Sequence, residues 1–259
     1  MAAIVAFSFW TQDYLTIDRT LTLDNYREVV TEPLYRLLLT RSLLISASVT
    51  TATILLAFPI AYYVSFHVRP DRKSLWIFLI TIPFWTSYLI RVFLWKVILG
   101  YNGVLNSGLL GLGVIDEPLT IILYNANAVV ITLAHAYAPF AILPIFVALE
   151  KIDRSLLEAS RDLGENHVVT FLRVTLPLAM PGVVAAVLIV FIPTVGDYVT
   201  PELVGGPGGR MIANWIQSLF IGQNQAPLGA ATAIVAMLMV STISLIFVFL
   251  TRRWLRTGK

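Results

Sequence analysis

Two carboxylates and a phenol stand close together in Pro193-Thr194-Val195-Gly196-Asp197-Tyr198-Val199-Thr200-Pro201-Glu202, just past a long apolar run. An acid beside hydrocarbon is expensive to hold and is usually paired or functional. Asp197 can form a structural ion pair with Arg91 or Lys96, which lie in the outer half of another apolar window. Alternatively Asp197, with Tyr198 or Glu202, guides a cationic solute, and Phe84, Trp85, Tyr88 and Trp95 offer ring faces for cation–π contacts. Aromatic residues at the ends of apolar runs also serve as interface anchors.

Bond-making chemistry finds little footing. His67 and His167 fall in polar loops, and His135 sits inside an apolar run before Pro139, where a helix-packing hydrogen bond suits it. No histidine and carboxylate spacing suits a metal, and no Ser-His-Asp arrangement is suggested. Without cysteine the chain makes no disulfide, thiolate site or thiol nucleophile. Gly205-Gly206-Pro207-Gly208-Gly209 is glycine-rich, but no Lys-Ser/Thr follows it, so it reads as a turn rather than a phosphate cradle.

A second polar constellation is better ordered. In Ser155-Leu156-Leu157-Glu158 the serine and glutamate are spaced as a capping box, with Asp153 as a second candidate cap. Leu156, Ser160 and Leu163 fall on one face of the short helix this predicts, and Gly164 supplies a left-handed terminus. A second short helix carries Val168, Phe171, Leu172 and Val174, and Pro177 marks passage into the next apolar run. Short helices are marginal alone in water. Apolar side chains on such a loop call for a partner surface, or else the loop lies on lipid as an amphipathic connector.

The elements around these residues are membrane spans. Of 259 residues 58% are hydrophobic and 13% charged, about half the charge of a soluble domain, and the mean hydropathy is +0.81. Five windows are long enough to cross: about Arg41 to Tyr63, Leu75 to Leu99, Asn127 to Leu149, Pro181 to Val199, and Ala230 to Leu250. Basic residues cluster in His67 to Lys73, at Lys151, Arg154, Arg161 and Arg173, and after the last window at Arg252, Arg253, Arg256 and Lys259, whereas 100–126 and 200–229 hold only Arg210. The positive-inside rule then puts the 150–177 loop and the C-terminus in the cytoplasm, and confinement of the basic residues to short loops argues against a nucleic-acid partner. The segment from Thr11 to Thr40 falls outside, with a short helix from Asn25 to Thr31 capped by Asp24 and Tyr26, Val29 and Val30 on one side. Ile212, Trp215, Ile216, Leu219 and Phe220 predict an amphipathic helix over Met211 to Phe220, also outside. It is an interfacial anchor or part of a docking surface and outer gate. Four windows contain proline (Pro59, Pro83, Pro139 with Pro144, Pro193), which predicts kinks tolerated where neighbours satisfy the freed carbonyl. Met1 to Trp10 is apolar but too short to cross and lacks signal-peptide flanks. It reads as the outer end of a span whose earlier part is missing, or as an interfacial anchor.

Glu158-Ala159-Ser160, three residues, Gly164, nine residues, then Val174-Thr175-Leu176-Pro177 resembles the EAA signature of ABC importer permeases, with Ser160 in place of the usual second alanine. The words Leu23-Asp24-Asn25-Tyr26, Arg41-Ser42-Leu43 and Pro193 through Gly206 resemble the spermidine/putrescine branch, although relatives for opines, phosphonates and ferric iron share the scaffold. The resemblance implies an all-α, polytopic inner-membrane helical bundle. It would have five complete spans and a truncated first one: residues 1–40 as a span remnant plus external segment, 41–259 as the permease domain. It implies coupling helices seated in a cytoplasmic ATPase through Glu158, Ala159, Ser160, Leu163 and Gly164. It also implies a second permease subunit, two ATPase subunits that hold ATP and Mg, and an external, periplasmic binding protein that delivers a polyamine. The permease itself would carry no cofactor and perform no bond chemistry. A secondary transporter would need intramembrane ionisable relays and repeat symmetry, and a membrane enzyme a catalytic cluster. Neither is evident.

Overall fold

The computed structural model describes residues 2–13 and 16–255, the last by its backbone alone. Met1, Arg256 and Lys259 lie outside the described residues. Helices dominate because lipid leaves the backbone no other donor or acceptor, and a helix satisfies its own. In chain order they are α1 (Ala2–Ser8), α2 (Asp24–Thr31), α3 (Pro33–Phe66), α4 (Pro70–Thr81), α5 (Tyr88–Ile98), α6 (Val104–Gly111), α7 (Ala126–Glu150), α8 (Arg154–Asp162), α9 (His167–Thr170), α10 (Leu176–Val195), α11 (Gly206–Gly209), α12 (Ile212–Gln217) and α13 (Ala226–Leu255). A small antiparallel hairpin, β1 (Thr11–Asp13) with β2 (Thr16–Asp18), pairs Gln12 with Ile17.

Among the described residues four unbroken helical stretches are long and apolar enough to cross a bilayer: Pro33–Phe66, Ala126–Glu150, His167–Val195 and Ala226–Trp254. The second expected span, Leu75 to Leu99, is not one straight helix. It consists of Pro70–Trp85 and Tyr88–Ile98, bent by 88°. Pro83 has no N–H to continue the ladder, so Ile82–Trp85 tightens into a 3₁₀ turn and Thr86 becomes extended. Pro59, Pro139 and Pro144, in contrast, stay inside continuous helices. The helix preceding Val195 also begins earlier than its apolar window, at His167, and passes through a π turn at Phe171–Thr175. There the Leu176 N–H bonds to the Phe171 carbonyl, and this wider loop relieves the crowding that Pro177 imposes on the turn before it.

The expected Asp24 cap is not made. Leu23 occupies the N-cap position without a side-chain bond, Asp24 is the first helical residue, and Thr22 Oγ1 accepts from the Asp24 N–H while donating to its carboxylate. Val29 is buried and Val30 exposed, so the apolar side is narrower than the spacing predicts.

The chain divides into two compact units. One comprises Met1–Ser48, Leu89–Leu133 and Ile192–Ile243, and the other Val49–Tyr88, Ala134–Phe191 and Ser244–Lys259. In the first, Ser42 Oγ donates to the Leu38 carbonyl and accepts from the Ile212 N–H at 2.7 Å, which ties α12 to α3. In the second, a Cβ on Gly182 would lie 2.6 Å from the Ala148 Cβ and strike the Pro144 carbonyl. Only glycine lets α10 approach α7 so closely.

Candidate functional site

The 151–175 loop is built in two arms around one glycine. Its first arm is α8. Asp153, not Ser155, is the N-cap. Its carboxylate accepts from the Ser155 N–H at 3.0 Å, and that bond holds its carboxyl below the ordinary aspartate range. The predicted Ser155–Glu158 box therefore gives way to the alternative cap, two residues earlier. The α8 terminus is a complete Schellman motif: Gly164 N–H to the Arg161 carbonyl and Glu165 N–H to the Ser160 carbonyl, at 2.8 and 3.2 Å. Gly164 has φ +84°, which a Cβ would strain.

The second arm starts at Asn166, whose side chain accepts from the Val169 N–H. It is not a separate helix but the first turns of the stretch that ends at Val195. Ser160 Oγ and Thr170 Oγ1, 3.0 Å apart, join the arms, and Arg173 pairs with Glu165 at 2.8 Å. A cavity of about 280 Å³ between the arms is lined by Arg154, Glu158, Arg161, His167 and Thr170, with Tyr62 and Phe66 of α3. Of the residues expected to meet a partner, Glu158 and Ala159 are exposed on α8, Ser160 is half-buried, and Gly164 is exposed at the turn. Leu163 is 85% exposed, an unusual cost for a leucine held on so ordered a loop.

The other predicted set falls in the other unit. α10 ends at Val195, and Asp197 is buried, its Oδ1 accepting from the Val199 and Thr200 N–H groups at 2.9 and 3.3 Å. It thus starts the short helical run that passes into a π turn at Pro201–Gly205. Tyr198 and Glu202 are exposed, and both are held by Asn214, which the spacing argument passed over. Its Nδ2 donates to the Tyr198 carbonyl at 2.8 Å and to Glu202 Oε2 at 3.3 Å, while its Oδ1 accepts from the Met211 N–H. An amide in the middle of α12, among Ile212, Ala213, Trp215 and Ile216, was the available signal. The expected Met211–Phe220 helix is shorter, Ile212–Gln217, and opens into a π turn at Ser218–Gly222. This shifts the stripe, so Ile212 and Leu219 are buried while Phe220 is exposed. A cavity of about 330 Å³ lies here, with Glu202, Arg210, Asn214, Gln217 and Ser218 among its walls. Trp85 and Tyr88 belong to the unit that carries the 151–175 loop. Trp85 is 82% exposed and Tyr88 half-buried, beside Phe84 stacked edge-on against Phe140 at 4.2 Å. Among the described residues no three histidine or carboxylate side chains gather as a metal site.

This chain matches the family model described as binding-protein-dependent transport system inner membrane component over residues 42–256. It belongs to that family. The permease is similar to the spermidine/putrescine transport system permease protein PotB of Escherichia coli K12, 38% identical over 245 residues that make up 94% of this chain and 88% of the relative. It is also similar to PotB of Haemophilus influenzae, 38% identical over 95% of this chain and 85% of that one, and to the inner membrane ABC transporter permease protein YdcU of Escherichia coli K12, 34% identical over 90% and 78%. A crystallised bacterial alginate ABC transporter, in complex with an alginate pentasaccharide-bound periplasmic protein, has the same fold. Its TM-score is 0.68 at 19% identity, over 90% of this permease and 83% of that chain. The all-α polytopic architecture and the multi-pass inner-membrane setting are those of an importer permease subunit.

Proposed function

We propose that this permease subunit serves an ATP-driven polyamine importer, with the 151–175 loop as its contact with a separate ATPase. The observation that carries the reading is the loop itself. It is capped at both helix starts, closed by a Schellman turn and joined across its arms, yet it holds Leu163, Leu156, Val168 and Leu172 in the open. Rigid exposed apolar groups suit a partner surface. Glu158, Ala159, Ser160, Leu163 and Gly164 form that contact, and the loop and C-terminus face the cytoplasm, in keeping with their basic flanks. ATP and Mg sit on the partner. A second permease subunit completes the pathway, and a periplasmic binding protein delivers the cargo.

The cargo assignment rests on the two PotB relatives and on chemistry suited to a flexible polycation. In one unit Glu202 and Tyr198 present a carboxylate and a ring, and Asp197 fixes the turn that bears them; in the other unit Trp85 and Tyr88 are a separate pair of ring faces. Because the chain lacks cysteine, single cysteines report cleanly. In the reconstituted complex, Ala159→Cys is expected to cross-link to the ATPase subunit. In the permease before the ATPase is added, Leu163→Cys is expected to react with an impermeant thiol reagent only from the cytoplasmic side, and the bound ATPase is expected to shield it. Labelled spermidine uptake, competed by putrescine but not by alginate oligosaccharide or an amino acid, supports the cargo. Glu202→Gln is expected to raise KM for spermidine several-fold. Equal competition by all solutes overturns the polyamine assignment, and an absent cross-link in an assembled complex overturns the motor contact.

A further inference from the structure

The last residue of α7 does more than end a span. Glu150 Oε1 accepts from Ser65 Oγ at 2.6 Å and from Lys73 Nζ at 2.6 Å, and lies 3.7 Å from an Arg154 guanidinium nitrogen. These partners come from three different elements: the end of α3, the first turn of α4, and the first residue of α8. Arg154 adds a second tie to α3. Its guanidinium donates to the Ser65 carbonyl at 2.8 Å and sits 4.0 Å from the Phe66 ring centroid. The Ser65 carbonyl is one of the four that a helix leaves unsatisfied at its C-terminus, where a cation is also favoured by the helix dipole. The other arm of the loop reaches the same helix, with Phe171 edge-on to Phe58 and Tyr62 at 5.5 and 5.9 Å. Lone exposed ion pairs contribute little. This one differs, because Ser65 is buried, the Lys73 side chain is 17% exposed, and one carboxylate oxygen takes two short hydrogen bonds beside the longer ion pair to Arg154.

We infer that Glu150 is a positioning residue that makes α8 move together with the ends of α3 and α4, so that a push on the loop reaches three helices rather than only the one joined to it by the chain. The inference rests on the loop being the ATPase contact. The link from α7 to α8, Lys151 to Asp153, lies outside both helices and by itself leaves slack for such a push. The hub removes that slack by binding Arg154 across the connector.

The test uses the assembled importer in liposomes and reads ATPase recovery, ATP hydrolysis and spermidine uptake together. Glu150→Ala and Lys73→Met are each expected to lower uptake per ATP hydrolysed about tenfold, within the range over which residues in a coupling network modulate linked sites. The double variant should be no worse than either single one, because both remove the same tie. Equal losses of uptake and hydrolysis, an unchanged ratio, or additive losses would overturn the inference. Where Glu150→Ala lowers recovery of the complex, Glu150→Gln, which keeps the shape and removes the charge, decides by the same ratio. The Ala159→Cys cross-link separates the two readings. A cross-link with an unchanged ratio sinks only the Glu150 role, whereas its absence sinks the motor contact itself.

Discussion

The 151–175 loop and the 196–222 segment solve opposite problems with the same parts. Near the start of each an aspartate accepts from the backbone, Asp153 from one N–H and Asp197 from two; the loop contains one π turn and the segment two, and each has a glycine with positive φ (Gly164, Gly206). In the loop Ser160 binds Thr170 and Arg173 binds Glu165, and although Ile152 is buried and Phe171 packs on α3, Leu156, Leu163, Val168 and Leu172 are left out. In the 196–222 segment Asp197 and Asn214 turn inward onto backbone groups, with Asn214 also binding the exposed Glu202, and Met211, Ile212 and Leu219 are buried. The difference teaches that irregular backbone in a membrane protein can serve as a handle or as a brace. Which of the two it is follows from where the apolar side chains go.

The sharpest way to break this contrast is Asn214→Leu. It orphans the buried Met211 N–H, while the Tyr198 carbonyl keeps its bond from the Glu202 N–H, and the expected loss is about 1–3 kcal/mol of stability, read as a fall in thermal unfolding temperature of the purified permease. An unchanged Tm would mean that the segment is not braced by this side chain. Gly164→Val should cost about 1–2 kcal/mol locally, because a β-branched residue resists the left-handed conformation. In the loop that cost should show as weaker recovery of the ATPase subunit, with global unfolding little altered. A large drop in Tm instead would make the loop a brace as well. Ser160→Ala removes the bond to Thr170, and the expected cost is about 0.5 kcal/mol. Faster amide exchange limited to residues 154–170 is its signature.

The smallest effect concerns pH. Asp153 is depressed by its bond from Ser155, so its contribution is complete above the unfolded value of about 3.9 and is lost as pH falls through the lower folded value. Hydrogen exchange at the start of α8 should therefore quicken only in that acid window. An identical change in Asp153→Asn would assign it to another group.

Much of the membrane architecture was legible in the chain, because hydropathy over about twenty residues is a local quantity and lipid demands it. The Gly164 turn was equally legible, since a left-handed terminus excludes most side chains. What could not be read was competition between near-equal local solutions. Asp153 and Ser155 were both fit to cap α8, and the choice depends on where α7 ends and how tightly Lys151 and Ile152 turn. The bend between Trp85 and Tyr88 has the same origin, for Pro59 and Pro144 remain inside continuous helices while Pro83 does not.

Composition, charge placement and the Glu158–Pro177 spacing determined by themselves that this is a helical membrane protein with an ordered polar loop, because each is a property of neighbouring residues. Only the tertiary structure decided that Glu150 collects Ser65, Lys73 and Arg154, and that Asn214 holds Tyr198 and Glu202. Ser65 and Lys73 lie 85 and 77 residues from Glu150. No local preference reports which distant donors will share one carboxylate oxygen until the helices that carry them are packed.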